Sequence, residues 1–316
     1  MEADLKKRLV PVFIAMLIFF GCKSSKVELE VQNVDPLSLL EENSSIYMSV
    51  PASKNQELVS KILCSRISGL AEKDAKAIAA RTEILYAGLG TVDDRSRLQI
   101  VSETSIPHIV VQSSLSKKNG WEKSFVSYDE KVFEKFTHAT DGFQASFPSS
   151  NLVCAAQNVD SLLKKFAENN PAPETAWKNW IAQNLSQGEI LFYITKPGQY
   201  LRSLIGQSIN VGTDAIFGSL CYFPDKKDSA KYSGKYELSF SIHLLDKRSV
   251  VALRSLLGLS FAMTGGAVEQ TDDLTLKISG IEISENKIEE LFLRDPITGK
   301  HYKVVDDKVI EESVKK

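Results

Sequence analysis

The chain has 316 residues, 43% of them hydrophobic and 25% charged, which supports one large or two modest domains with proper cores and excludes a disordered chain. Its 38 Lys and Arg stand against 40 Asp and Glu, a net charge of −2 with no long block of one sign. Nothing in that balance offers an electrostatic footprint for nucleic acid.

The N-terminus is the least uniform part. Lys6, Lys7 and Arg8 precede the uncharged run Leu9–Gly21, "LVPVFIAMLIFFG". The run is too short to cross a bilayer, for which a helix needs about 20 apolar residues. A basic flank followed by roughly 7 to 15 apolar residues is the layout of a signal peptide. Ordinary secretory cleavage wants small residues before the cut, and Phe19 and Phe20 fill those places. Phe19-Phe20-Gly21-Cys22 resembles instead the lipobox of bacterial lipoproteins in the relaxed form of spirochaetes; Gly21 and Cys22 match it and Phe20 departs from it.

The resemblance implies cleavage before Cys22 and a lipid, palmitate or a similar acyl chain, on its sulfur. Residues 1–21 are then a signal peptide, and 22–34 are the lipidated cysteine and a flexible tether opening on "KSSK". It places the protein in the cell envelope, lipid-anchored on the periplasmic side of the outer membrane or at the cell surface. Lys23 stands where enteric lipoproteins carry the Asp that keeps them at the inner membrane. Each buried CH₂ contributes about 0.8 kcal/mol, so one acyl chain holds marginally and two or more hold durably. An uncleaved anchor and a buried apolar start of the fold are the other readings of the run.

The remaining cysteines, Cys64, Cys154 and Cys221, each sit in an apolar run. They read as buried thiols acting as small hydrophobes; one disulfide is the alternative that export permits, since an odd number cannot all pair.

Along the body, strand and helix patterns alternate. In "KYELSFSIHLL", Tyr236, Leu238, Phe240, Ile242 and Leu244 alternate with Lys235, Glu237, Ser239, Ser241 and His243. One face is wet, which predicts an antiparallel sheet. Further strands are predicted over 46–50, 83–89, 98–102, 108–112, 132–136, 143–147, 152–157, 190–195, 217–223 and 274–283. Helical spacing links Val159, Leu162, Leu163 and Phe166, and a Ser53/Gln56 capping box stands ahead of Leu58, Val59, Ile62 and Leu63. Another helix carries Trp177, Trp180 and Ile181. The fold class is α+β: mainly antiparallel sheet with a few helices packed on one face.

"SIYMSVPASKNQELVSKIL" and "EILFYITKPGQYLRSLIG" share the order apolar strand, proline, amphipathic helix. That order admits two related halves, 35–168 and 177–316, the second ending in a strand segment, joined by a linker at 169–176. It also admits chance recurrence of a common motif. An opening strand, a "VP" turn and a helix are similar to periplasmic or surface lipoproteins of unassigned function, a likeness that implies a location and an architecture and no reaction.

Candidate chemistry is sparse. His108, His138, His243 and His301 are far apart, with no H-E-x-x-H and no His/Cys pair at ligand spacing, so no metal is expected. "GLG" at Gly88–Gly90 lacks the third glycine and helix start of a dinucleotide loop, and no cofactor site is read. Ser161/Lys164 and Ser114/Lys117 have the S-x-x-K spacing of exported serine enzymes, but K-T-G is absent.

The segment Ser249–Val268 is nearly all apolar apart from Arg254. As core, it is a helix starting after Asp246 and packed beneath the sheet, apolar nearly all round. As a site, Leu253, Leu256 and Leu257 join Tyr200, Leu201 and Leu204 to line an apolar groove for an acyl chain or a partner's helix. The expected role is non-enzymatic: a binding or structural component of the envelope, held to the membrane by its lipid, with an envelope protein or a lipid as partner. The alternatives are a periplasmic lipid or lipoprotein carrier with an apolar cavity, and an exported hydrolase.

Overall fold

The alternation that marks "KYELSFSIHL" builds a strand with Tyr236, Phe240, Ile242 and Leu244 buried on one side. The computed structural model describes residues 33–66, 70–92, 95–169, 173–185, 188–198, 211–224, 234–261, 265–293, 301–305 and 308–312. Cys22, Tyr200, Leu201 and Leu204 lie outside the described residues.

The strands are β1 (Ile46–Pro51), β2 (Thr82–Val92), β3 (Arg95–Thr104), β4 (Trp121–Tyr128), β5 (Lys131–His138), β6 (Gln144–Ser149), β7 (Leu152–Ala156), β8 (Ile190–Ile194), β9 (Thr213–Phe223), β10 (Lys235–Leu244), β11 (Ala267–Gln270) and β12 (Thr275–Ser284). They form one 12-stranded sheet in the order β11-β12-β10-β9-β8-β1-β2-β3-β7-β6-β5-β4. Every neighbouring pair is antiparallel. The helices are α1 (Pro36–Leu39), α2 (Gln56–Arg66), α3 (Glu72–Ala79), α4 (His108–Ser114), α5 (Asp160–Glu168), α6 (Ala176–Asn184), α7 (Lys247–Phe261) and α8 (Glu285–Leu293). A separate hairpin, β13 (His301–Val305) with β14 (Lys308–Glu312), rests on α2 and α8.

The helices are divided between the two faces rather than gathered on one. Tyr47, Tyr86, Val101, Cys154, Leu191 and Tyr193 share one face, which we call the tyrosine face, and pack with buried residues of α1, α5 and α6. Trp177 of α6 stacks on Tyr47 with ring centroids 3.7 Å apart and planes 2° from parallel. On the opposite face, which we call the α7 face, Phe240, Ile242, Ile216, Leu276 and Ile278 pack with Val250, Leu253 and Leu257. Burying apolar surface against both sides of the sheet gives the fold two cores instead of one.

The two segments that resemble each other in sequence lie side by side in the interior of the sheet. β1 and β8 pair directly, Ile46 opposite Ile194 and Tyr47 opposite Tyr193. Outward from that pair the order is alike on both sides: a long hairpin, β2–β3 or β9–β10, and then a returning strand, β7 or β12. A helix follows the hairpin on each side, α4 or α7, and another follows the returning strand, α5 or α8.

Two further expectations fail, over residues 108–112 and at Ser53. Residues 108–112 form α4, not a strand. Its run Ile109–Val111 is too short for periodicity to decide, and Pro107 opens the helix by accepting from Val110 N–H at 2.9 Å. Ser53 lies inside a 3-10 turn, Ala52–Lys54, so the expected capping box does not form. Cys64, Cys154 and Cys221 are in no disulfide; Cys64 and Cys154 are buried, as the sequence reading expects, and Cys221 is half-buried. Burial pushes the Cys154 thiol up to about 12, the behaviour of a small hydrophobe.

The segment entering β1 crosses the tyrosine face as a strap. Asp35 caps α1 by accepting from Leu37 N–H at 3.1 Å, and Leu37, Leu39 and Leu40 are buried. Lys178 of α6 pairs with Asp35 at 2.8 Å, and Lys165 of α5 donates to Leu40 O at 2.6 Å. Arg97 holds the Glu41 carboxylate, while Gln99 Oε1 accepts from Glu41 N–H at 2.8 Å. Tyr47 Oη donates to Glu41 O at 2.7 Å and Thr195 Oγ1 to Ser44 O at 2.9 Å. Buried polar groups must find partners, and here those partners come from α5, α6, β1 and β3 and from Thr195 just past β8.

Candidate functional site

The expected apolar groove separates into two parts with different fates. Asp246 starts α7 as its cap, accepting from Ser249 N–H at 2.8 Å and from Ser249 Oγ at 2.7 Å, and these bonds hold its carboxyl below the usual range. From that start, Val250, Leu253 and Leu257 point into the sheet and are buried, and Leu256 is half-buried. Leu253 and Leu257 are therefore core. Tyr200, Leu201 and Leu204 belong to the part of that reading that lies outside the described residues.

The helix is not apolar all round in the sense of being enclosed, because its other side faces out. Val251 is 67% exposed and Leu259 76%. Ala252, Ser255 and Gly258 lie on the same exposed side. The serines add little polarity: Ser255 Oγ donates back to Val251 O at 3.1 Å and Ser260 Oγ to Leu256 O at 3.0 Å, so both hydroxyls are spent on the helix itself. Lys247, Arg248 and Arg254 are exposed around this surface. An apolar helix face bordered by basic residues is the arrangement of helices that lie in a membrane interface.

A second apolar surface stands at the far end of the same sheet face. Ladder partners carry the side from Phe240 through Gly218, Phe192, Met48, Ala87, Ile100, Ala155 and Ala145 to Phe136. Phe125 and Val132, both 63% exposed, lie on that side beside Phe136 in the β4–β5 hairpin. Helix α4 covers part of it, with His108 edge-on to Phe147 and Ile109 and Val110 exposed. Between them, Glu134 takes Lys123 at 2.6 Å, Gln112 Nε2 at 3.0 Å and His108 at 3.3 Å. Burial alone would raise the Glu134 carboxyl, but Lys123, Gln112 and His108 together hold it below its usual range.

The residues considered for chemistry are not assembled. Among the described residues no group of three or more His, Cys, Asp and Glu could hold a metal ion. Ser161 Oγ is buried with no hydrogen-bond partner while Lys164 pairs with Glu168 at 3.7 Å, and Ser114 Oγ donates to Val110 O at 3.1 Å, so neither serine bonds the lysine of its S-x-x-K pair. His138 is buried and pairs with Asp141 at 2.9 Å, and His243 meets Thr275 Oγ1 at 3.0 Å. Among the described residues no helix is long and apolar enough to cross a membrane.

A family model described as outer membrane-associated lipoprotein TP0453 matches residues 31–289. The chain belongs to that family. Solved structures of TP0453 share its fold. Crystal form I superposes with a TM-score of 0.63 at 16% identity over 81% of this chain and 96% of that one. Crystal form III gives 0.61 at 17% identity over 81% and 97%. No curated protein matches the chain. Membership of the TP0453 family makes the protein an outer membrane-associated lipoprotein of the cell envelope.

The outward-facing residues Val251, Leu259, Phe125 and Val132 escaped the sequence reading. One signal was present: Arg254 in the middle of an apolar helix has no place in a helix enclosed on all sides, so one flank had to reach water.

Proposed function

We propose that the protein is a non-enzymatic envelope lipoprotein, tethered by acyl chains on Cys22, whose α7 face rests on a membrane surface. The observation that carries the reading is the outward side of α7, where Val251 and Leu259 stand exposed beside Arg248 and Arg254. Phe125, Val132 and Ile109 repeat the pattern at the other end of the same face. A lipid chain alone binds marginally, and apolar side chains entering the headgroup region supply a second attachment. The carrier reading needs an apolar cavity; of the expected groove, Leu253 and Leu257 are closed against the sheet, and Tyr200, Leu201 and Leu204 lie outside the described residues.

An environment-sensitive dye tests the contact. On Leu259→Cys it should shift to shorter wavelength when vesicles are added, while on Lys164→Cys, on the tyrosine-face side, it should not move. Equal behaviour at the two positions would remove the face from the proposal. Incorporation of labelled fatty acid in the protein's own host, lost in Cys22→Ser, tests the tether separately.

A further inference from the structure

We propose that β4 pairs with β4 of a second copy of this chain, joining two sheets edge to edge about a two-fold axis through Phe125. β4 is the last strand of the sheet. Its inner partner is β5, so half of its backbone groups point away from any strand among the described residues. Trp121 N–H donates to Ser116 O at 3.1 Å, on the outer side, while its opposite number His138 turns its N–H to Phe143 O at 2.8 Å, towards β6. By alternation, Lys123, Phe125 and Ser127 also turn their N–H and C=O outward. That open stretch is closed at one end by Ser116 on Trp121 and at the other by the turn at Asp129 and Glu130.

Phe125 is the middle of the open stretch. A two-fold axis there sets Phe125 opposite Phe125, Lys123 opposite Ser127 and Ser127 opposite Lys123, and every outward N–H and C=O of the three residues gains a partner. No like charges meet in this register, and Glu122 falls opposite Tyr128 on the other side of the ribbon. A lysine on an edge strand ordinarily discourages such pairing. Here Lys123 is neutralised, its Nζ at 2.6 Å from Glu134 and lying over the rings of Phe125 and Phe136. The remaining stretch Ser124–Tyr128 has no charge and no proline, and its Phe125 is 63% exposed.

The symmetry has a geometric merit. Antiparallel strands related by a two-fold keep each sheet's faces on the same sides, so both copies present the α7 face to one surface. The pairing itself stands on the edge geometry and does not depend on the membrane reading.

Sedimentation of the full chain in detergent tests it. The wild type should form dimers that dissociate on dilution. Ser127→Pro removes an outward N–H that takes no part in the β4–β5 ladder, so it should give monomers with an unchanged unfolding temperature. Phe125→Cys should cross-link to itself under mild oxidation, and Lys164→Cys should not. A wild type that stays monomeric at about 0.1 mM, where an ordinary dimer is filled, overturns the proposal. So does a Ser127→Pro variant, still folded, that dimerises as before. If Phe125→Cys fails to cross-link while wild type dimerises, the copies meet elsewhere and the β4 edge is excluded.

Discussion

At the scale of single residues, α7 is a helix with two kinds of leucine. Leu253 lies against Phe240 and Ile242 with no exposure, so Leu253→Ala should cost about 2 to 5 kcal/mol as methylenes are lost and a cavity remains. Leu259→Ala, on the open side, should fall within about 0.5 kcal/mol of wild type in denaturant titration of the membrane-free protein. Two glutamates should answer pH in opposite directions. Glu134 is held low, so its contribution is present above the ordinary Glu value of about 4.3 and fades as pH falls through its lower folded value. Glu103 is held high, by burial first and by Glu83 and Asp35 after it, so ionising it costs stability as pH rises through its folded value. Glu134→Gln should therefore lower the unfolding temperature at neutral pH and Glu103→Gln raise it. Both differences should shrink in acid; the same sign for both would contradict the assignment.

At the scale of elements, close approach of backbones decides what β9 can carry. A Cβ on Gly218 would stand 2.2 Å from Ser239 O and 2.6 Å from Phe240 Cα, in strand β10, which cannot move away without breaking its pairing with β12. Gly218→Ala should cost about 3 kcal/mol, at the upper end for overpacking, measured as a lowered denaturant midpoint. How legible an element was in the sequence followed its length and its neighbours. The alternation in β10 and the spacing of Val159, Leu162, Leu163 and Phe166 in α5 were readable because each fills a clean period against one core. α4 was misread as a strand because only Val111 of its residues is buried, leaving no period to detect. β4, with a single buried residue at Trp121, left almost no pattern either. For α7 the apolar content was evident and the division of its two sides was not, since apolar residues occupy both.

At the scale of the whole molecule, the two halves read from sequence share one sheet and meet where β1 pairs with β8 in its interior. Trp177 on Tyr47 and Lys178 on Asp35 add contacts from the second half to the start of the first. The described body should therefore unfold in one calorimetric transition, whose measured enthalpy equals the value derived from its steepness. Two separated transitions would mean that the halves are independent domains. That the repeated segments would be neighbours could not have been read from their sequences, because pairing across the sheet depends on contacts between residues more than a hundred positions apart, such as Ile46 and Ile194. The division of helices between two faces was hidden for the same reason: an amphipathic helix shows that it has a buried side, not which side of a sheet receives it.

The strap gives the fold a mechanical polarity. A pull applied from the N-terminal side reaches Asp35 first and is shared at once among Lys178, Lys165, Arg97, Gln99 and Thr195, which belong to both halves. Only when those contacts part does tension reach β1, which has a strand on either side and must slide against β2 and β8 together instead of peeling from an edge. The opposite margin of the sheet, at β4, lies farthest from that line of tension in the strand order, free to bend or to meet a neighbour while the centre holds.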